Sequence, residues 1–143
     1  MLKPTGYTIR FPREGGPPGE HGSVAIQDKD WKLFLKEANA KGRSQIEAVM
    51  RAWCRFGPND FPDSKFKFES RYEKGGKSVR IDAFKGHQVR FYGTTVQVAG
   101  KPMFLVTGCD FSKKQTPANQ NLLKAAGKAA FELINMSNDR QKK

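Results

Sequence analysis

Apolar and polar residues alternate from Tyr7 through Thr8, Ile9 and Arg10 to Phe11, the period-two signature of a half-buried strand, and Pro12 closes the run because it cannot donate to a sheet ladder. Gly15 to Gly22 is crowded with glycine and proline and reads as loop, within a flexible insert near residues 12–26. From Asp28 the period lengthens. Trp31, Leu33, Phe34, Leu35 and Ala38 form an apolar stripe opposite Lys29, Lys32 and Lys36, which predicts an amphipathic helix capped by Asp28 or Asp30 and stopped at Gly42. Ser44-Gln45-Ile46-Glu47 matches a capping box and predicts a second helix, with Ile46, Val49, Met50, Trp53 and Cys54 as its buried face and Gly57-Pro58 as its end. Two such helices in succession predict a hairpin that covers one face of a sheet.

Strand patterns follow. Phe66, Phe68, Ser70 and Tyr72 alternate with Lys65, Lys67, Glu69 and Arg71 before the tight turn Lys74-Gly75-Gly76-Lys77. Val79, Ile81 and Ala83 alternate with Arg80, Asp82 and Phe84, and Lys85-Gly86-His87 predicts another turn. A third strand runs from Gln88 to about Val98, with Gly93 as a place to bend, and Ala99-Gly100-Lys101-Pro102 closes a third hairpin. Met103 to Val106 is continuously apolar, as in a central strand covered on both faces. The short links predict an antiparallel meander. Thr116 and Pro117 then suit the cap and first position of a helix, lined by Leu122, Ala126, Ala130, Leu133 and Ile134 on its docked face, and residues 135–143 turn polar and are expected to fray. No internal repeat is visible. The 143 residues read as one α+β domain, long enough to bury about two-thirds of the unfolded chain's surface.

Charge changes the picture. The formal net charge is +12, and Ser64 to Lys114 holds eleven Lys and Arg against four acids, or +7, interleaved with aromatic and β-branched residues. A cationic sheet face suits a polyanion, and single-stranded RNA is the expected partner. There is no apolar run of the length a secretory signal or a membrane helix needs, so a cytoplasmic protein with no membrane partner is expected. Cys54 and Cys109 sit in apolar contexts that suit buried reduced thiols. They and His21 and His87 lack zinc-ligand spacing, and neither metal nor cofactor is expected.

The stretch Val89-Arg90-Phe91-Tyr92, the apolar strand Met103-Phe104-Leu105-Val106, then Phe111-Ser112-Lys113-Lys114-Gln115-Thr116-Pro117 and the helix from Leu122 to Ala130 resemble the RelE/ParE toxin superfamily, in its phage-derived RelE/HigB-like branch of bacterial type II toxin-antitoxin modules. The resemblance is good over residues 64–134 and loose over residues 7–57. It implies a RelE-like fold, an amino-terminal helical hairpin packed on a curved antiparallel sheet with a carboxy-terminal helix. It further implies a metal-independent endoribonuclease, an mRNA interferase acting on messenger RNA at the ribosome and held by a cognate antitoxin protein. In such chemistry the ribose 2′-hydroxyl attacks the adjacent phosphate and leaves a cyclic phosphate. Arg90 and Arg80 are then the candidate phosphate clamps, because a guanidinium grips two phosphate oxygens and stays charged. His87 is the candidate acid or base. Lys67, Arg71, Lys113 and Lys114 are candidate RNA contacts, and Tyr92 a candidate for stacking on a base. Each has a plainer reading: His87 as a solvated turn residue, Arg80 and Arg90 paired with Asp82 or Glu69, the lysines solvated, Tyr92 in the core. A nonenzymatic RNA-binding or regulatory protein and a ParE-type inhibitor of DNA gyrase remain open beside the ribonuclease.

Overall fold

The computed structural model describes residues 3–16, 18–111 and 119–141, with side chains through residue 136. In chain order its elements are strands β1 (Tyr7–Phe11) and β2 (Ser23–Gln27), helices α1 (Asp28–Glu37) and α2 (Ala40–Phe56), strands β3 (Phe66–Lys74), β4 (Lys77–Gly86), β5 (Val89–Val98) and β6 (Lys101–Asp110), and helix α3 (Gln120–Gln141). The strands form a single sheet in the order β1-β2-β6-β5-β4-β3. β3 to β6 are the antiparallel meander, β1 and β2 are an antiparallel pair, and β2 joins the two parts by running parallel to β6.

Period-two alternation divides the sheet's side chains between two cores. Phe11, Val24, Ile26, Phe84, Phe91 and Phe104 face α1 and α2, where they meet Phe34, Ile46, Met50 and Trp53. Val79, Ile81, Ala83 and Tyr92 face α3 and meet Leu123, Ala126 and Ala130, while Tyr7, Ala25, Met103 and Leu105 meet Leu133 further along the same helix. The molecule is therefore three layers, helices on both faces of one mixed sheet.

This corrects the expected fold class. The sheet is mixed rather than antiparallel, because Val24-Ala25-Ile26 is a strand buried on both faces inside the region read as a flexible insert. The amino-terminal helices are not a hairpin: only Ala38 and Asn39 separate them, Ala38 is extended, and α1 packs on β2 while α2 packs chiefly on β4. The helix boundaries move accordingly. Asp28 accepts from Thr8 at 2.6 Å and Arg10 at 3.1 Å instead of capping, and Asn39 caps α2 by accepting from the Gly42 amide at 2.7 Å. Gly42 thus lies inside α2, where a Cβ would come 2.1 Å from the His87 carbonyl oxygen. Ser44 sits within that helix rather than at its start. Asn119 caps α3, accepting from the Asn121 and Leu122 amides at 3.0 and 3.1 Å, and the helix continues through the residues expected to fray, to Gln141. Thr116 and Pro117 lie outside the described residues.

Candidate functional site

Lys85 on β4 stands directly opposite Arg90 on β5. Their chain neighbours Phe84, Val89 and Phe91 belong to the α1–α2 core, so both cations fall on the α3 face of the sheet. A third charge reaches them through a β-bulge. The β3–β4 register passes from Phe68↔Asp82 to Ser70↔Ile81, leaving Glu69 as the extra residue, and a bulge re-aims the side chain it leaves unpaired. Glu69 Oε1 lies 3.2 Å from Lys85 Nζ and 3.6 Å from Arg90 Nη1, with the three side chains 9%, 10% and 8% exposed.

Two buried cations thus share one carboxylate, and a pair kept from water needs good geometry to offset its desolvation. Here the geometry is incomplete. The Lys85 ammonium is Glu69 Oε1's near partner, and its contact is an ion pair rather than a well-aligned hydrogen bond, while Arg90 stands beyond hydrogen-bond distance. The phenol of Tyr92, two residues along β5 from Arg90, is likewise buried and makes no well-aligned hydrogen bond, although the Arg90 guanidinium is close enough to oppose the rise in its pKa. Unsatisfied buried polar atoms are rare enough to call for an explanation, and one explanation is a missing ligand. Burial lowers the pKa of Lys85 despite the opposing pull of Glu69, and burial raises that of Tyr92, which keeps the phenol a donor. Asp110 on β6 stands opposite Arg90 on the other side.

A cleft of about 270 Å³ opens beside this cluster, lined by Ser70, Arg71, Tyr72, Asn121, Leu123 and Lys124. Ser70 follows Glu69 in the bulge, and Leu123 packs in the same cluster as Tyr92. Small residues let α3 lie this close: a Cβ on Gly108 would fall 2.8 Å from that of Ala126, and one on Gly127 2.7 Å from that of Tyr72.

Of the residues singled out in the sequence, Arg90 and Tyr92 lie in the cluster and Arg71 lines the cleft. Lys67 is exposed on β3, opposite Ala83, close enough for its charge to press down the pKa of Lys85. Arg80 is elsewhere: it alternates with Val79 and Ile81, so it faces away from α3, pairs with Asp82 at 2.8 Å and lies 4.7 Å over the Phe68 ring. His87 is exposed in the β4–β5 turn, whose backbone is bound to α2 by Asn39 donating to the His87 carbonyl and the His87 amide donating to Gln45, each at 2.8 Å. No contact of its imidazole joins it to Glu69, Lys85 or Arg90 among the described residues. Lys113 and Lys114 lie outside the described residues.

Lys85 was not singled out, and Glu69 entered only as the acid that would pair with Arg90 in the plainer reading, a contact the structure shows at 3.6 Å. Lys85 continues the alternation Val79, Ile81, Ala83 and could have been placed on their face, but Gly86 beside it suggested a turn. Alternation from Phe66 puts Lys67 and Glu69 together on the α3 face, and the bulge after Phe68 adds Ser70 and Tyr72 to it. Among the described residues no group of three or more His, Cys, Asp or Glu side chains could hold a metal ion, and no helix is long and apolar enough to cross a membrane. No protein-family model, curated protein or solved structure matches the chain.

Proposed function

We propose that the protein is an endoribonuclease whose reacting phosphate is held by Lys85 and Arg90 with Glu69 as its base. The observation that carries this reading is the pair of buried cations around one carboxylate, with Tyr92 Oη beside them and neither Glu69 Oε1 nor Tyr92 Oη in a well-aligned hydrogen bond. A ribose 2′-hydroxyl is a donor and its neighbouring phosphate an acceptor, so RNA supplies both. Glu69 takes the 2′-hydroxyl proton as the O2′–P bond forms. Lys85 and Arg90 stabilise the charge that gathers on the phosphorane oxygens. The P–O5′ bond then breaks with Tyr92 hydrogen-bonded to the departing oxygen, which receives the proton held by Glu69. A 2′,3′-cyclic phosphate and a 5′-hydroxyl result. The cleft beside Ser70 and Leu123, with Arg71 and Lys124, gives the adjoining strand a cationic path. The resemblance of residues 64–134 to type II toxins favours messenger RNA on the ribosome as substrate and an antitoxin protein as the controlling partner.

A second reading, a nonenzymatic RNA-binding protein, is favoured by the burial of the three charges, each exposed by a tenth or less. End-labelled RNA incubated with the protein, with and without ribosomes, separates the two. The parent is expected to leave cyclic-phosphate ends, and Glu69→Gln and Arg90→Ala each to slow cleavage about a hundredfold. Arg90→Lys recovers part of the rate, because a point charge cannot replace a planar fork. Affinity for RNA made uncleavable by 2′-deoxy substitution changes little, since one contact among several is lost. A parent that binds RNA and never cleaves it establishes the second reading, and one that does neither refutes both.

A further inference from the structure

On the far side of the sheet, the turn after β1 stands off from the C-terminal half of α2 and leaves a cleft of about 400 Å³ lined by Pro12, Arg13, Pro18, Arg51, Arg55 and Phe56. We propose that this cleft binds an acidic polypeptide segment of a partner protein, which places an apolar side chain between Phe56 and the prolines and carboxylates on Arg51 and Arg55.

The charges define the partner. Arg13 is already committed, donating to Glu47 at 2.7 Å and lying 5.6 Å over the Phe11 ring. Arg51 and Arg55 are exposed and have no carboxylate partner among the described residues. Four residues apart on one helix, they stand one above the other about 6 Å apart, each with a fork that matches a carboxylate. Phe56 is 69% exposed, the most exposed of the large hydrophobic side chains among the described residues, and Arg55 lies 5.0 Å over its ring. An exposed aromatic with an arginine over its ring, beside an apolar hollow, is the composition of an interface anchor.

The same surface is poorly made for nucleic acid. A strand of phosphates needs a continuous cationic track, and here Arg13 is committed to Glu47 while Glu14 is exposed beside it. Discrete carboxylates can be placed on the two free arginines and away from these acids. The cleft also lies on the α1–α2 side of the sheet, whereas Glu69, Lys85 and Arg90 lie on the α3 side, so the proposal stands apart from the ribonuclease reading.

The test is titration of the isotopically labelled full chain, followed by amide shifts, with a short synthetic peptide in which glutamates alternate with leucine and phenylalanine. Saturable shifts confined to the Arg13–Gly16 turn and the Arg51–Phe56 end of α2 are expected. Arg51→Glu with Arg55→Glu should weaken binding about tenfold or more, a change of about 1.4 kcal/mol, and Phe56→Ser should weaken it as well. Should the double reversal unfold the protein, Arg55→Gln alone carries the charge test. Arg90→Ala should leave peptide binding unchanged. The proposal is overturned if no site saturates, if the peptide with glutamine for glutamate binds equally well, or if a single-stranded oligonucleotide occupies this cleft in preference.

Discussion

Glu69→Gln removes a charge and almost no volume, so its effect on stability measures how completely the bulge has taken Glu69, Lys85 and Arg90 out of water. The parent holds two cations against one acid at 3.2 and 3.6 Å, all three side chains a tenth exposed or less. The variant holds the two cations against a neutral amide. Removing one partner of a buried pair leaves uncompensated charge and costs about 3–5 kcal/mol. With a urea slope of about 2 kcal/mol per M, the unfolding midpoint at pH 7 should fall by roughly 1.5–2.5 M. The pH dependence has a definite sign. Lys85 already has a lowered pKa through burial, and losing Glu69 lowers it further. A lysine whose folded value is depressed carries its full penalty below that value, and the penalty is relieved as pH rises toward the ordinary 10.5. The deficit of the variant should therefore shrink between pH 7 and pH 10. Adding Lys85→Met to Glu69→Gln removes one of the stranded cations, and the double variant should recover about 1–3 kcal/mol relative to the sum of the single changes. Unfolding followed by intrinsic fluorescence reads all of this. An unchanged midpoint in Glu69→Gln would mean that water reaches the cluster freely, and would remove the physical basis of the proposed site.

Ala126→Leu should lower stability by about 1–3 kcal/mol through overpacking, because Ala126 is 1% exposed and faces Gly108 with no room between; an undiminished melting temperature would contradict that packing. Asp82→Asn should leave the protein as stable as the parent or more so at pH 7. Burial raises the Asp82 pKa despite Arg80, so its carboxylate is a net liability above that raised value, and the advantage of Asn should fade as the pH drops toward 3.8. A thermal melt series across that range checks it, and a variant that is less stable than the parent at pH 7 would give Arg80 the larger effect.

Much of the meander was legible because its signals are local. The alternation along Val79, Ile81 and Ala83 puts those residues on one face, and Met103 to Val106 is buried as a continuous apolar run predicts. Gly93 marks a register shift between β5 and β6, where a Cβ would come 2.1 Å from the Leu105 carbonyl oxygen. Long-range pairing was not legible. Val24-Ala25-Ile26 is too short a run, among too many glycines and prolines, to announce itself as a strand, and its identity comes from β6, some eighty residues away in sequence. Gly42 signalled a stop because glycine usually ends helices, whereas its missing Cβ makes room for the His87 backbone. In the site, Arg90 could be found as a cation set between apolar strand positions. The bulge could not, since one extra residue moves Ser70 and Tyr72 to the face that Lys67 and Glu69 already occupy and leaves no mark in the alternation.

The position of the bulge gives the cluster its chemical interest. Lys67 stands opposite Ala83 and Phe68 opposite Asp82, so Glu69 continues the alternation onto the α3 face, and the bulge leaves it unpaired there with Ser70 beside it. Without its charge Lys85 and Arg90 would stand opposite each other, buried, with no acid on β3 near them, which would lower the pKa of Lys85 further and destabilise the sheet. Glu69 brings in one negative charge, enough to hold the two cations in the fold. It does not complete their hydrogen bonding, because the carboxylate stands 3.6 Å from Arg90 and neither Glu69 Oε1 nor Tyr92 Oη is in a well-aligned hydrogen bond. On the proposed reading, such a cluster is open to an anion and to a hydroxyl donor at the same time. Folding energy elsewhere offsets its cost, in the two apolar layers that α2 and α3 make with the sheet. A purely structural ion pair would gain by better alignment, whereas a binding site must leave its hydrogen-bonding groups open until the ligand arrives.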